Sequence, residues 1–374
     1  MRTGFDVLFD DPTRLRGLRV GVCCNHTAVD ANLDHLLDRL AAANIPVARV
    51  FTPEHGLHAT AQDMITVDHE GPAIVSLYGD SAASLRPNAD HLRDLDVILF
   101  DIQDIGTRYY TYQATLGYLM EVAAETGTRI LVLDRPNPID GITLEGNIVR
   151  PGFESFVSAY PLAVRHGLTM GELAIYFRDA LGIRADIEVL KCEGWDATRR
   201  FDATGLPWVY PSPNMPTLET AVLYPGMCLI EGTNLSEGRG TTRPFELFGA
   251  PWIRGRELTD ALNALRLPGV VFREAWFTPS FSKHRGELCG GAQIHVTDAA
   301  RFRSVTTTLR LLETVRRLYP GQLTFQGPTF DRLMGTAQVR PLLESGADLA
   351  PAMARIESDV KAFEALRAPY LLYP

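Results

Sequence analysis

Glu54, His55 and Gly56 stand directly behind an apolar run, VARVFTP. A glycine at that point admits a sharp turn that presents both side chains at a strand end. A glutamate at a cleft mouth, desolvated beside a proline, can hold a proton near neutral pH, as a general acid must. The competing role is a loop carboxylate that caps the next helix. A denser group runs from Asp101 through Gln103, Asp104, Thr107, Arg108, Tyr109, Tyr110 and Thr111 to Tyr112. Its tyrosines can stack on sugar faces or donate hydrogen bonds, and Arg108 can fix a carboxylate. Alternatively Asp104 caps a helix and the tyrosines pack as core. In LDRPNPIDGITLEGN, Asp134, Arg135 and Asn137 fall at another strand end with Glu145 beyond a turn, where an Asp134 to Arg135 ion pair serving structure is an equal competitor.

Farther along, Glu231, Asn234, Glu237, Arg239 and Arg243 are set among glycines in EGTNLSEGRGTTR. Such a loop can bring backbone N–H groups and guanidinium forks onto an anion, against the alternative of a tight structural turn. It lacks the lysine and spacing of a GxxxxGK[ST] phosphate loop. His55, His58, Asp68, His69 and Glu70 raise a metal site, but no HExxH pattern is present and no metal or other cofactor is expected. His284 reads as a rim residue and His295 as a strand residue. No GxGxxG follows the first strand, so dinucleotide binding is not expected. LFDIQDIGT differs from the DxDGT of aspartyl-phosphate phosphatases in carboxylate spacing, which leaves an Asp-dependent phosphatase as a weaker alternative.

Four apolar runs must position these groups. LRVGVCC ends in Asn25, His26 and Thr27; VARVFTP in Glu54; DVILFDI in Gln103 and Asp104; RILVLDRP in Asn137. As parallel strands of one open sheet, their carboxyl ends form the edge where ligands of such sheets bind. The runs alternate with helical patterns near 33 to 43 and 110 to 126, and a helix with a Thr169 to Glu172 capping box follows. The proline-rich stretch GLPWVYPSPNMPT bars regular structure and places a boundary just after it. The expectation is therefore an α/β chain: a Rossmann-like, mostly parallel sheet domain over residues 1–222, then a smaller α+β domain over 223–374 with strands near 270 to 277 and 291 to 297. The chain has 374 residues and a net charge of −9, which disfavours nucleic acid or an anionic membrane surface as partner. Cys23 and Cys24, two of five cysteines, read as buried apolar residues. No leader and no apolar run of membrane-spanning length is visible, so the sequence as it stands reads as cytoplasmic, or exported if a leader has been removed.

Taken together, NHT at 25–27, PEHGL at 53–57, DIQDIGTRYYTY at 101–112, LDRPNP at 133–138, PSPNMP at 211–216, YPGMCLIEGTNLSEGRGTTRPFELFGAPW at 224–252 and KHRGELCGGAQIHV at 283–296 closely resemble the exo-lytic β-N-acetylmuramidases of peptidoglycan recycling, a NamZ-like family long catalogued as a domain of unknown function. The resemblance implies an active-site cleft between the two domains and removal of N-acetylmuramic acid from the non-reducing end of peptide-free glycans, with a small saccharide as partner. It implies Glu54 as the leading catalytic carboxylate, with Asp101, Asp104, Arg108, Tyr110, Asn214, Glu231, Glu237 and Arg239 lining the pocket. Glycoside cleavage normally needs a second carboxylate about 5 to 9.5 Å from the acid. Asp101, Asp104 and Glu237 are the candidates, and the substrate's own 2-acetamido carbonyl is a further one. Asn25, His26, His55, Gln103, Tyr109, Asn137, Asn234, Arg243 and His284 complete the expected substrate contacts. Arg239, then Arg108, is the expected reader of the lactyl carboxylate, against an ion pair of Arg239 with Glu231 or Glu237 that only orders the loop. A sugar-binding protein without turnover is the alternative function.

Overall fold

The computed structural model describes residues 1–54, 56–57, 73–78 and 82–373. Six parallel strands form the larger sheet: β1 (Val20–Cys24), β2 (Val47–Thr52), β3 (Ala73–Ser76), β4 (Val97–Asp101), β5 (Arg129–Leu133) and β6 (Ile187–Leu190), in the order β3-β2-β1-β4-β5-β6. The strand order reverses between β1 and β4, the point where doubly wound sheets bind ligands. β1 and β4 are buried along their whole length, which is why they read as unbroken apolar runs.

Period-2 alternation divides those runs between two cores. Val20, Val22, Leu99 and Leu131 face α1 (Gly4–Leu8) and α2 (Leu36–Ala42); Cys23, Ile98, Phe100 and Val132 face the layer of α3 (Tyr112–Thr126) and α4 (Met170–Asp179). The expected capping box opens α4: the Thr169 hydroxyl accepts from the Glu172 N–H at 3.1 Å, and Glu172 accepts from the Thr169 N–H at 2.9 Å. All five cysteines are buried free thiols.

The smaller sheet is antiparallel, in the order β7 (Leu247–Ala250), β9 (Cys289–Val296), β8 (Val270–Phe277). It is accompanied by α6 (Gly255–Ala264) and α7 (Ser304–Leu318), while α5 (Leu218–Met227) packs on α7. The boundary expected after residue 222 falls inside α5, which is buried almost throughout and carries Pro225, so it shows neither an amphipathic stripe nor an unbroken helical pattern. β3, β7, α1, α8 (Gly327–Met334) and α9 (Arg340–Ser345) are likewise absent from the sequence reading; all are short.

The carboxy-terminal residues return to the larger sheet through α10 (Ala350–Arg367). Arg367 donates to the carbonyls of Gly141 and Gly167 at 2.7 and 2.6 Å, and the Tyr373 hydroxyl donates to Asp134 at 2.5 Å. No helix among the described residues is long and apolar enough to cross a membrane.

Candidate active site

Glu54 leaves β2 in a turn closed by Gly56, whose φ of +74° favours glycine and whose N–H donates to the Pro53 carbonyl. Thr111, just before α3, donates its hydroxyl to Glu54 Oε2 at 2.6 Å, tying the end of β2 to the segment after β4. No hydrogen bond reaches Glu54 Oε1 from a described residue, and among those residues no cation pairs with this carboxylate. Glu54 lines a cavity of about 140 Å³ with Ser212, Asn214, Glu231 and Arg239; Tyr109, Tyr110, Tyr112 and Tyr224 supply much of its aromatic wall. The loop sequence EGRG thus meets the edge of the larger sheet, as a shared cleft requires.

Arg239 is held from several sides. Its Nη2 and Nε reach Glu231 Oε1 at 2.7 and 3.2 Å, Nε lies 3.5 Å from Glu237, and the guanidinium sits over the Phe245 ring at 5.2 Å. Burial pulls this guanidinium down, but the Glu231 carboxylate, and Glu237 after it, hold it above its ordinary value. Gly238 and Gly240 flank it at φ of +81° and +80°, and a Cβ at Gly240 would meet the Phe281 carbonyl at 2.6 Å. The glycines of this loop therefore allow close backbone packing on either side of Arg239.

The other candidate carboxylates lie away from the cavity lining. Asp101, fully buried at the end of β4, takes two hydrogen bonds from Arg135 at 2.5 and 3.0 Å. The Asp134 to Arg135 side-chain ion pair, held open as an alternative, does not form: Asp134 accepts from Thr169, Gly171, Tyr373 and the Arg135 backbone N–H, while the Arg135 guanidinium pairs with Asp101. Glu237 is buried against Lys283 Nζ at 2.9 Å. A sealed Asp101 also removes the nucleophile that an Asp-dependent phosphatase would need.

Asp104 caps no helix: α3 begins at Tyr112, and Asp104 Oδ2 accepts from the Gly106 N–H at 2.7 Å. Its Oδ2 lies 3.8 Å from His166 Nε2, and Asp104 Oδ1 and His166 Nε2 are both buried without a hydrogen-bond partner among the described residues. His166 Nδ1 accepts from the Leu168 N–H, and burial lowers this imidazole to about 3, so the ring is neutral with its proton on Nε2. Burial raises Asp104 to about 7. Its contribution to stability is then full below the ordinary carboxylate value and is lost as pH rises toward 7. Asp104→Asn does not titrate, so wild type is expected to lose stability relative to it by a few kcal/mol between about pH 4 and 7. Urea denaturation of both proteins across that range measures the difference, and parallel curves would exclude the buried titration.

Arg108 is a clamp and not a ligand contact. Fully buried, it donates to the carbonyls of Asn147, Leu162, Leu333 and Met334 at 2.6 to 3.1 Å, joining the larger-sheet region to α8, and burial lowers it to about 10. Several expected contacts are spent similarly, away from the cavity lining. Asn25 bonds Thr27 and Tyr112, Gln103 bonds the carbonyls of Asp104 and Pro136, and Asn137 bonds the Leu168 carbonyl. Asn234 clasps Gln322 and Thr324, His284 meets the Asn234 carbonyl, and His26 meets the Tyr210 carbonyl; Arg243, by contrast, is half exposed and pairs only with Glu246 among the described residues. His55, His58, Asp68, His69 and Glu70 lie outside the described residues. No metal-holding group of His, Cys, Asp and Glu occurs among the described ones.

Phe245 and Lys283 were not singled out from sequence, and Thr111 was given no role of its own within its segment. Phe245 has a φ of +60°, which is uncommon for a bulky residue and marks a constrained position. Such a feature exists only in the folded backbone.

A doubly wound sheet edge thus faces a loop from a smaller domain across a cavity that holds two carboxylates and an arginine among tyrosines, groups that can do acid–base chemistry. Residues 20–219 match the family described as Exo-beta-N-acetylmuramidase NamZ, N-terminal, and residues 222–373 match its C-terminal counterpart. The chain belongs to this NamZ family of exo-β-N-acetylmuramidases, a family of glycosidases. It is 44% identical over 381 residues to the peptidoglycan beta-N-acetylmuramidase NamZ of Bacillus subtilis, covering 100% of this chain and 91% of that protein. Two crystal structures of DUF1343 family proteins from Bacteroides fragilis share its fold. One has a TM-score of 0.93 at 34% identity over 100% of this chain and 99% of that one; the other has a TM-score of 0.79 at 31% identity over 100% and 98%.

Proposed function

We propose that this protein is an exo-acting β-N-acetylmuramidase that releases N-acetylmuramic acid from the non-reducing end of peptide-free peptidoglycan fragments in cell-wall turnover. The observation that carries the reading is one cavity lined by two carboxylates from the two halves of the chain, Glu54 and Glu231. Glu54, with Oε2 engaged by Thr111 and Oε1 free of hydrogen bonds from the described residues, is the acid that protonates the leaving glycosidic oxygen in this reading. Glu231 takes the place expected of Asp101, Asp104 or Glu237. Ion-paired with Arg239, it presents an anion that can act as nucleophile, as base toward water, or as a stabiliser of positive charge developing on the sugar. The tyrosine wall offers faces for sugar rings.

Incubation with a chromogenic β-N-acetylmuraminide and with the disaccharide N-acetylmuramoyl-N-acetylglucosamine tests the proposal. Release of the chromophore and of free N-acetylmuramic acid is expected. Binding without release from either compound would leave a sugar-binding protein. Proton NMR of the first-formed anomer distinguishes inversion, which makes Glu231 the base toward water, from retention, which leaves it the nucleophile or the stabiliser of attack by the substrate's own 2-acetamido carbonyl.

A further inference from the structure

An N-acetylmuramoyl residue differs from an N-acetylglucosaminyl residue by an ether-linked lactyl group that ends in a carboxylate. In glycans bearing peptide stems the same carboxyl carbon is an amide. A protein that acts on the peptide-free sugar needs a group that reads this negative charge, and a guanidinium suits a carboxylate because it can donate two parallel hydrogen bonds. Arg108 and Arg239 were both candidates on sequence. The four carbonyls that occupy Arg108 take it out of consideration.

Arg239 is different because it is anchored without being used up. Glu231 engages Nε and Nη2, whereas Nη1 has no hydrogen bond among the described residues, and the side chain lines the cavity. Glu237, the second carboxylate beside it, has its own counter-charge: Lys283 donates to Glu237 Oε2 and to the carbonyls of Ile230 and Leu235, each at 2.9 Å. The residues on either side of Lys283, Ser282 and His284, have φ of +67° and +57°. These are sparsely populated conformations for such residues, so the surrounding fold must hold them there. Without Lys283, Glu237 would be a buried anion whose nearest cation is Arg239.

We propose that Arg239 recognises the lactyl carboxylate of the terminal muramoyl residue, and that Lys283 is a positioning residue which, by neutralising Glu237, leaves Arg239 free to do so. This rests on the muramidase reading above. A preference for peptide-free glycans would then need no steric gate, because an amide at this carbon carries no charge for Arg239 to meet.

The test compares kcat/KM for 4-nitrophenyl β-N-acetylmuraminide, the same glycoside with its lactyl carboxyl converted to the primary amide, and 4-nitrophenyl β-N-acetylglucosaminide. Wild type is expected to favour the acid over the amide by roughly ten- to a hundredfold, the span of one charged hydrogen-bond interaction. Arg239→Gln is expected to bring that ratio close to one. Arg239→Lys, which keeps the charge but not the fork, is expected to fall between. Lys283→Met is expected to lower the ratio mainly through a higher KM for the acid. Equal wild-type rates on acid and amide overturn the inference without any variant, even if Arg239→Gln fails to fold. So does an unchanged ratio in a folded Arg239→Gln protein. Failure of wild type to cleave any of the three glycosides overturns instead the muramidase reading on which the inference stands.

Discussion

Glu54→Gln is expected to reduce turnover of a β-N-acetylmuraminide by roughly 10²- to 10⁴-fold, the usual contribution of a positioned proton donor. The amide keeps the shape of the carboxyl group and can still accept from the Thr111 hydroxyl, so the turn after β2 is expected to persist. What it cannot do is give a proton to the leaving oxygen. The loss should be smallest for substrates whose leaving group is a good one, such as 4-nitrophenol, and largest for the disaccharide, whose sugar leaving group needs protonation. Measuring kcat on both, with substrate binding to the variant followed by calorimetry, checks the assignment. Equal losses on the two substrates would move Glu54 from proton donation to another role.

Asp101→Ala is expected to act through stability instead. The carboxylate is fully buried in a two-bond pairing with Arg135, and removing one partner of such a pair leaves the other charge uncompensated, at a cost of about 3–5 kcal/mol. Burial raises Asp101 while Arg135 opposes the rise, as expected of a pair that is costly to desolvate and costly to break. Urea unfolding should therefore show a lowered midpoint, and the fraction that remains folded should turn over substrate near the wild-type rate. A variant that unfolds like wild type but has lost turnover would return Asp101 to the chemistry.

The two carboxylates look alike in the sequence, since each follows an apolar strand and each lies in a family motif. They differ in what covers them. Asp101 belongs to β4, the strand next to β1 at the middle of the sheet, and its side chain is enclosed with Arg135 from the end of β5. Glu54 follows β2, one strand nearer the edge, and opens toward the loop of residues 231–243. Sequence spacing records neither difference, because both depend on residues far apart in the chain.

The middle of the larger sheet was legible because β1 and β4, and β5 after its first residue, are buried and so read as continuous apolar runs bounded by polar clusters, whereas the short, half-exposed β3 gave no such signal. Of its helices, α2 and α3 were legible from periodicity and α4 from a capping box that needs only four residues, while the five-residue α1 was not. The family, too, was carried by local motifs, in collinear order along nearly the whole chain. Only the tertiary structure decided which polar residues of those motifs face the cavity. Arg108, Asn137 and Asn234 have the same chemistry as binding residues, yet their donors are consumed by backbone carbonyls that no local pattern reveals. Glu231 and Arg239 make an ion pair and also line the cavity, a combination that treating the two as competing alternatives could not produce. A sequence fixes which groups are available for hydrogen bonding. Which of them are left to meet a substrate depends on how the two halves of the chain close on each other, since most buried polar groups find a partner within the fold.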